Sequence, residues 1–297
     1  MNDKLIKGIT KDGYVRFFAV NSTNTMKTAA EIHKLSLINK IIFGRLINAT
    51  LLMSADLKNK TDQISLVLET DGTINKAVTV AYYNGDIKGY IANPKKELPP
   101  DEKTGGFNIK KALGSGYIKI IKELGLKSPY IGIVELKYGE IGEDITYYFA
   151  QSEQIPTALS VGVLLGKEGK IMQSGGFMIQ LMPDTPEEIA LKIENSLKKL
   201  PNFTDLMDMG YSIEKIVTEI ILKDFAIETI TEKEIRYHCN CSKDKFSQGI
   251  KLLGKDELEK AIENNETLKA VCHFCNKEYQ FPPTDLKKIL TELSIIF

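Results

Sequence analysis

The chain has 297 residues, 43% of them hydrophobic, and 39 Lys plus Arg against 39 Asp plus Glu, which is enough for a full domain and a smaller one. The balanced charge gives no sign of a polyanion-binding protein, so nucleic acid is not an expected partner. The opening Met1-Asn2-Asp3-Lys4-Leu5-Ile6 carries no apolar targeting run, and no uncharged apolar stretch approaches the roughly 20 residues of a membrane span, so a cytoplasmic protein with no membrane partner is expected.

In chain order, residues 14 to 20 (YVRFFAV) read as a strand. Residues 27 to 57 carry Ile32, Leu35, Ile41, Ile42, Leu46, Ile47, Leu51 and Leu52 at helical spacing, as two helices broken near Ser36. SLVLE, TINKAVTVAYY and DIKGYI follow as an antiparallel meander, with Asp71-Gly72 and Asn84-Gly85 as tight hairpin turns. Pro94 to Thr104 is a loop, and GYIKIIKELG, YIGIVEL and TALSVGVLLG continue the strands around a helix near residues 141 to 154. The predicted fold class is α/β (α+β), with residues 1–183 forming an N-terminal core domain of antiparallel strands and packed helices.

Residues 184–236 read as an acidic amphipathic helical linker, with twelve acidic and seven basic residues, lying against the first domain rather than folding alone. Thr185-Pro186-Glu187-Glu188 has capping-box spacing, and Ile189, Ile193 and Leu197 share a helix face. Ser212 caps a second helix whose Ile213, Ile216, Val217, Ile220, Ile221 and Phe225 form a wide apolar stripe; the plain reading is two docked helices.

Residues 237–297 form a small C-terminal domain with helices near Phe246 to Leu253 and Glu257 to Glu263, a strand pair around Cys272, and a final helix after Pro283. All four cysteines of the chain lie here, as Cys239-Asn240-Cys241 and Cys272-His273-Phe274-Cys275. Two close pairs separated by a few tens of residues present four thiolates to one tetrahedral Zn²⁺, so the four are candidate metal ligands. The C-x-C spacing departs from the usual knuckle. A Cys239–Cys241 disulfide would close a small strained ring, which suits a reversible switch. Lys243, Lys269 and Lys277 are expected to offset the thiolate charge, and His238 and His273 to stay outside the ligand set. A domain of about 60 residues is marginal without metal.

No enzyme signature emerges: Gly162 to Glu168 is one residue short of a phosphate loop and lacks its Ser or Thr, and no catalytic residue is assigned. A thiol-disulfide oxidoreductase built on Cys272 and Cys275 lacks the βαβ setting such a motif uses.

The cysteine pairs, Gly44-Arg45, Lys88-Gly89-Tyr90, the run Tyr147 to Gln154, and Gly175-Gly176 with Gln180 and Pro183 make the whole chain resemble the heat-shock protein 33 family of redox-regulated bacterial chaperones. Lys88 stands where arginine is more usual in that family. The resemblance implies a stress-response holdase that needs no ATP. Its reduced form would hold one Zn²⁺ and be inactive. Oxidation would pair Cys239 with Cys241 and Cys272 with Cys275, release zinc and expose apolar surface to unfolding client proteins, and the oxidised form would be a homodimer. The linker stripe Ile213, Ile216, Val217, Ile220, Ile221 and Phe225 then supplies candidate client contacts. The alternative is a zinc-knuckle module with a permanent structural zinc that binds nucleic acid or protein, which peroxide would inactivate.

Overall fold

Residues 2–99 and 106–296 are described by a computed structural model, in which two compact units, Met1–His238 and Cys239–Phe297, are distinguished. In the first unit, Lys4–Thr10 (β1) and Val15–Asn21 (β2) pair antiparallel. Their alternate residues serve two cores: Leu5, Phe18 and Val20 pack into one, Ile6, Val15, Phe17 and Ala19 into the other. A sheet buried on both faces explains why β2 is apolar at almost every position.

Helix α1, Thr23–His33, ends where Lys34 turns left-handed, and Ser36 caps α2, Leu37–Ser54, by accepting the Asn39 N–H, which is the break expected near Ser36. Helix α2 is buried on all sides. It is long and apolar enough to cross a bilayer, but 78% of it is buried within the protein, as a core helix is. His33 is buried, with Nε2 2.9 Å from Tyr237 Oη.

The expected meander is present as Gln63–Thr70 (β3), Lys76–Tyr82 (β4) and Asp86–Ile91 (β5). Gly85 makes the tight turn at φ +88°. Asp71-Gly72 does not: the link runs on to Asn75, which takes the positive φ. Gly72 is there for close approach, since a Cβ would sit 2.3 Å from the carbonyls of Ala112 and Leu113. Residues 94–99 are irregular as expected, while 100–104 lie outside the described residues. There follow α3 Ile109–Leu113, β6 Gly116–Glu123, β7 Tyr130–Glu135 and α4 Ile141–Tyr148, then a π-helical turn Phe149–Glu153, β8 Thr157–Leu165 and β9 Ile171–Leu181.

The acidic segment was expected to be helical throughout. It supplies α5 Glu187–Lys198, α6 Phe203–Asp208, and a short α7, Ile213–Lys215, that runs into a π-helical turn Ile216–Ile221. It also adds a strand, Ile227–Glu234 (β10), whose residues pair with β1 along its whole length, followed by Arg236–Tyr237 (β11). One sheet therefore runs β10-β1-β2-β9-β8 and the other β11-β5-β4-β3-β6-β7. Helix α2 packs between the two sheets, and α5, α6 and α7 cover the outer face of the first. Thr185 does not cap α5, because its hydroxyl donates to the carbonyls of Tyr14 and Met182 instead.

The motif residues of this unit are mostly scaffold. A Cβ on Gly176 would lie 2.3 Å from the Ser160 carbonyl, and one on Gly175 2.4 Å from that of Val20, so the double glycine sets strand spacing around β9. Tyr148, fully buried, donates to Glu153, which also pairs with Lys122. Gln180 accepts from Arg16, and Arg45 pairs with Glu140.

The second unit has α8 Lys243–Lys251, α9 Lys255–Glu263, a hairpin of β12 Leu268–Val271 and β13 Glu278–Phe281, and α10 Pro283–Ile296. Its small core is Ile250, Leu258, Ala261, Tyr279, Phe281, Leu286 and Ile289. The first of the helices starts three residues before Phe246 because Ser242 caps it.

Candidate metal centre

The two cysteine pairs arrive from different local structures. Cys239 and Cys241 lie in extended chain just before the Ser242 cap of α8. Cys272 and Cys275 sit at the turn between β12 and β13, which is closed by Cys275 N–H to the Cys272 carbonyl (3.3 Å), Asn276 N–H to the same oxygen (2.7 Å), and left-handed Asn276. The hairpin and the extended pair place all four Sγ atoms within 4.8 Å of one another. Cys239 and Cys272 approach to 3.7 Å and Cys241 and Cys275 to 3.4 Å, and all four are free thiols.

These spacings fit a metal. Four sulfurs at about 2.3 Å from a central ion form a tetrahedron with edges of about 3.8 Å. A soft four-thiolate set suits zinc or iron–sulfur chemistry rather than calcium or magnesium. Neither His238 nor His273 belongs to the cluster. The surroundings supply donors to sulfur: Cys241 N–H to Cys239, and Lys277 N–H to Cys275.

Burial pushes the Cys239 and Cys275 thiols up, against the pull of those backbone donors. At Cys241 burial again opposes ionisation, but hydrogen bonds from Tyr279 and from the Cys275, Cys239 and Cys272 thiols outweigh it and bring it down to about 7. Cys241 is thus drawn toward the thiolate while Cys239 and Cys275 are held toward the thiol. Of the lysines expected to offset the charge, Lys243 pairs with Asp285 (2.5 Å) and Lys269 with Glu278 (3.3 Å), while Lys277 lies over the Tyr279 ring. Sequence reasoning missed two contacts, Lys245 Nζ on the Asn240 carbonyl between the first pair (2.8 Å) and Tyr279 Oη on Cys241 Sγ (3.1 Å). Alternation along β13 marks Tyr279 as inward-facing, but no sequence signal points it at sulfur.

The other candidate residues form a separate group in the first unit. Ile213, Ile216, Val217 and Ile221 are buried and Ile220 and Phe225 half-buried, packed on Ile6, Phe17, Phe177 and Ile179. The stripe expected to meet clients is covered in this structure by the sheet it docks on.

A family model described as "Hsp33 protein" matches residues 3–282. The chain is similar to the 33 kDa chaperonin of Thermoanaerobacter pseudethanolicus, at 41% identity over 291 residues and 98% of each chain. It is also similar to that of Latilactobacillus sakei, at 38% over 294 residues, covering 98% of this chain and 100% of the other. The crystal structure of the 33 kDa chaperonin (heat shock protein 33 homolog) of Thermotoga maritima superposes with a TM-score of 0.90 at 32% identity, covering 99% of this chain and 100% of that one.

Proposed function

This chain belongs to the Hsp33 chaperone family, and from that membership we propose that it is a redox-regulated, ATP-independent holdase, not an enzyme, switched by Cys239, Cys241, Cys272 and Cys275. Three parts share the work: a core domain (1–183), the acidic linker (184–236) and the redox-switch domain (237–297). The observation that carries the reading is the convergence of four free thiols in a unit too small to have much core of its own. When bound, one Zn²⁺ in the reduced form ties the extended pair to the hairpin and supplies folding energy to this unit.

The residues do the rest. Oxidation to Cys239–Cys241 and Cys272–Cys275 disulfides takes the sulfurs out of ligation, and the second unit is left with a core of a few residues. The linker then leaves its sheet. Ile213, Ile216, Val217, Ile220, Ile221 and Phe225 become apolar surface for unfolding clients, and the acidic residues around them keep the complex dispersed. We place this activity in the cytoplasm, as a stress response, with the oxidised form a homodimer.

The test is light scattering from a heat-unfolding client without ATP, comparing reduced zinc-loaded protein with peroxide-treated protein while zinc release is followed. Suppression by the oxidised form alone, reversed by reductant, is the expected result. Equal activity in both forms refutes the switch, and loss of a binding activity on oxidation favours a permanent zinc module.

A further inference from the structure

Tyr279 stands in the β13 hairpin strand whose alternate residues, Tyr279 and Phe281, point into the core of the second unit. The residue is 7% exposed, its ring stacked on Phe246 at 5.0 Å and 29°, with Lys277 Nζ 5.2 Å from the centroid on the ring face. Packing thus fixes where the hydroxyl sits. Among the described residues the hydroxyl has one hydrogen-bond partner, Cys241 Sγ at 3.1 Å. A buried tyrosine O–H needs a partner, and here that partner is sulfur. Cys239 and Cys275 receive backbone N–H groups, whereas Cys241 receives a side-chain O–H, which Tyr279→Phe deletes without touching the backbone.

We propose that Tyr279 is a positioning residue for the thiol chemistry: by donating to Cys241 Sγ it lowers that sulfur's nucleophilicity and sets how readily an oxidant opens the four-cysteine site. The inference rests on the redox-switch reading and names a regulator of the same site. With hydrogen peroxide as oxidant, a thiolate sulfur attacks one peroxide oxygen; the S–O bond forms, the O–O bond breaks and hydroxide leaves. A second thiolate then attacks that sulfur, the S–S bond forms, the S–O bond breaks and a second hydroxide leaves. Two thiolates lose two electrons, one peroxide gains them, and two solvent protons convert the hydroxides to water. A donor O–H on the first sulfur draws on the lone pair that makes the attack.

The size of the effect follows from two general relations. A hydrogen bond to an anionic acceptor changes its basicity by roughly ten- to a hundredfold, and thiolate reactivity follows basicity with an exponent of about 0.4 to 0.5, giving about 2.5- to 10-fold in rate. The experiment uses full-length protein reconstituted with Zn²⁺, comparing wild type, Tyr279→Phe and Phe246→Leu. The Phe variant keeps the ring and deletes only the oxygen, while Phe246→Leu loosens the stacking and leaves the hydroxyl.

Three readouts separate the roles: peroxide-driven zinc release, zinc loss to a chelator without oxidant, and the thiolate-to-metal charge-transfer band of the Co²⁺-substituted protein. Tyr279→Phe is expected to release zinc about 2.5- to 10-fold faster with peroxide, to lose it to chelator at the wild-type rate, and to move the band to longer wavelength. Phe246→Leu is expected to leave the band in place. A Tyr279→Phe variant matching wild type, or one that speeds chelator and peroxide release by a common factor with no band shift, overturns the proposal. A wild type that takes up no zinc, or holds it through peroxide, overturns the switch reading and this inference with it, which is distinguishable from the first result. Should Tyr279→Phe take up no zinc, 3,5-difluorotyrosine at position 279, a stronger donor, is expected to slow peroxide release, and an unchanged or faster rate overturns the proposal.

Discussion

Ile216→Ala isolates the docking of the linker on the first sheet. Ile216 has 0% exposure, in one cluster with Ile6, Phe17 and Ile179, and lies in the π-helical turn between α7 and β10. Truncating a fully buried isoleucine to alanine costs about 2 to 5 kcal/mol, through lost burial and the cavity left behind. Ile216 belongs to the cluster that α5 to α7 form with the first sheet, and not to the core around α2, so the cost falls on docking. At about 3 kcal/mol, the undocked population rises on the order of 100-fold.

Hydrogen exchange reads this directly. Amides of residues 213–222 are expected to exchange about 100-fold faster, with those of β3 and β4 unchanged, and the reduced zinc-loaded variant is expected to suppress client aggregation in part without oxidant. Equal acceleration in β3 and β4 would refute independent undocking. Faster exchange with no gain in client holding would refute the stripe as the client surface.

Lys4 on β1 pairs with Glu214 of α7 (2.6 Å) and Glu232 of β10 (3.0 Å), tying the linker to the sheet. At Glu214 burial works upward, but Lys4, its own backbone N–H and Ser212 outweigh it, so the folded carboxyl lies below its unfolded value and its contribution is lost as pH falls through that folded value. Lys4 is raised by Glu214 and Glu232, so its contribution is lost only as pH rises through its folded value. Stability from the pair is expected to be level between about pH 5 and 10, and Glu214→Gln to cost less than about 1 kcal/mol at pH 7. Denaturant midpoints against pH should show a flatter acid limb in that variant; an unchanged limb removes the pair from the argument. Gly176→Ala forces a Cβ to 2.3 Å from the Ser160 carbonyl, so a loss of at least about 3 kcal/mol or failure to fold is expected, seen as a lower urea midpoint. Removing the metal by chelation is expected to collapse the β12–β13 amide resonances while those of β3 to β6 persist, because about 10 kcal/mol or more of apparent metal-binding energy exceeds what so small a core supplies.

The candidate site was legible because its chemistry is local in sequence: each cysteine pair falls within four residues, and no other cysteine competes. The helix break near Ser36, the cap at Ser212 and the meander could be read for the same reason. Strands β1 and β10 were missed because neither is a strong strand alone. KLIKGIT and IETITEKE carry charges on the exposed positions, and their partners are more than 200 residues apart. The turns Phe149–Glu153 and Ile216–Ile221 have ordinary helical periodicity, and nothing in their sequence marks the wider π-helical coil. Tyr279 was invisible as a sulfur donor because the contact exists only once the hairpin meets the chain before α8.

The pairing of β1 with β10 also has a consequence for biosynthesis. Strand β1 leaves the ribosome more than 200 residues ahead of β10, and Lys4 cannot meet Glu234 until nearly the whole first unit has been made. At roughly 5 to 20 residues per second, one edge of a nascent sheet stands open for on the order of 10 to 45 s, a window in which strand addition from a neighbouring chain competes with the native partner. Lys4 and Lys7 put on that waiting edge the kind of charge that discourages strand addition, and Lys4 carries it unpaired until Glu214 and Glu232 have been made.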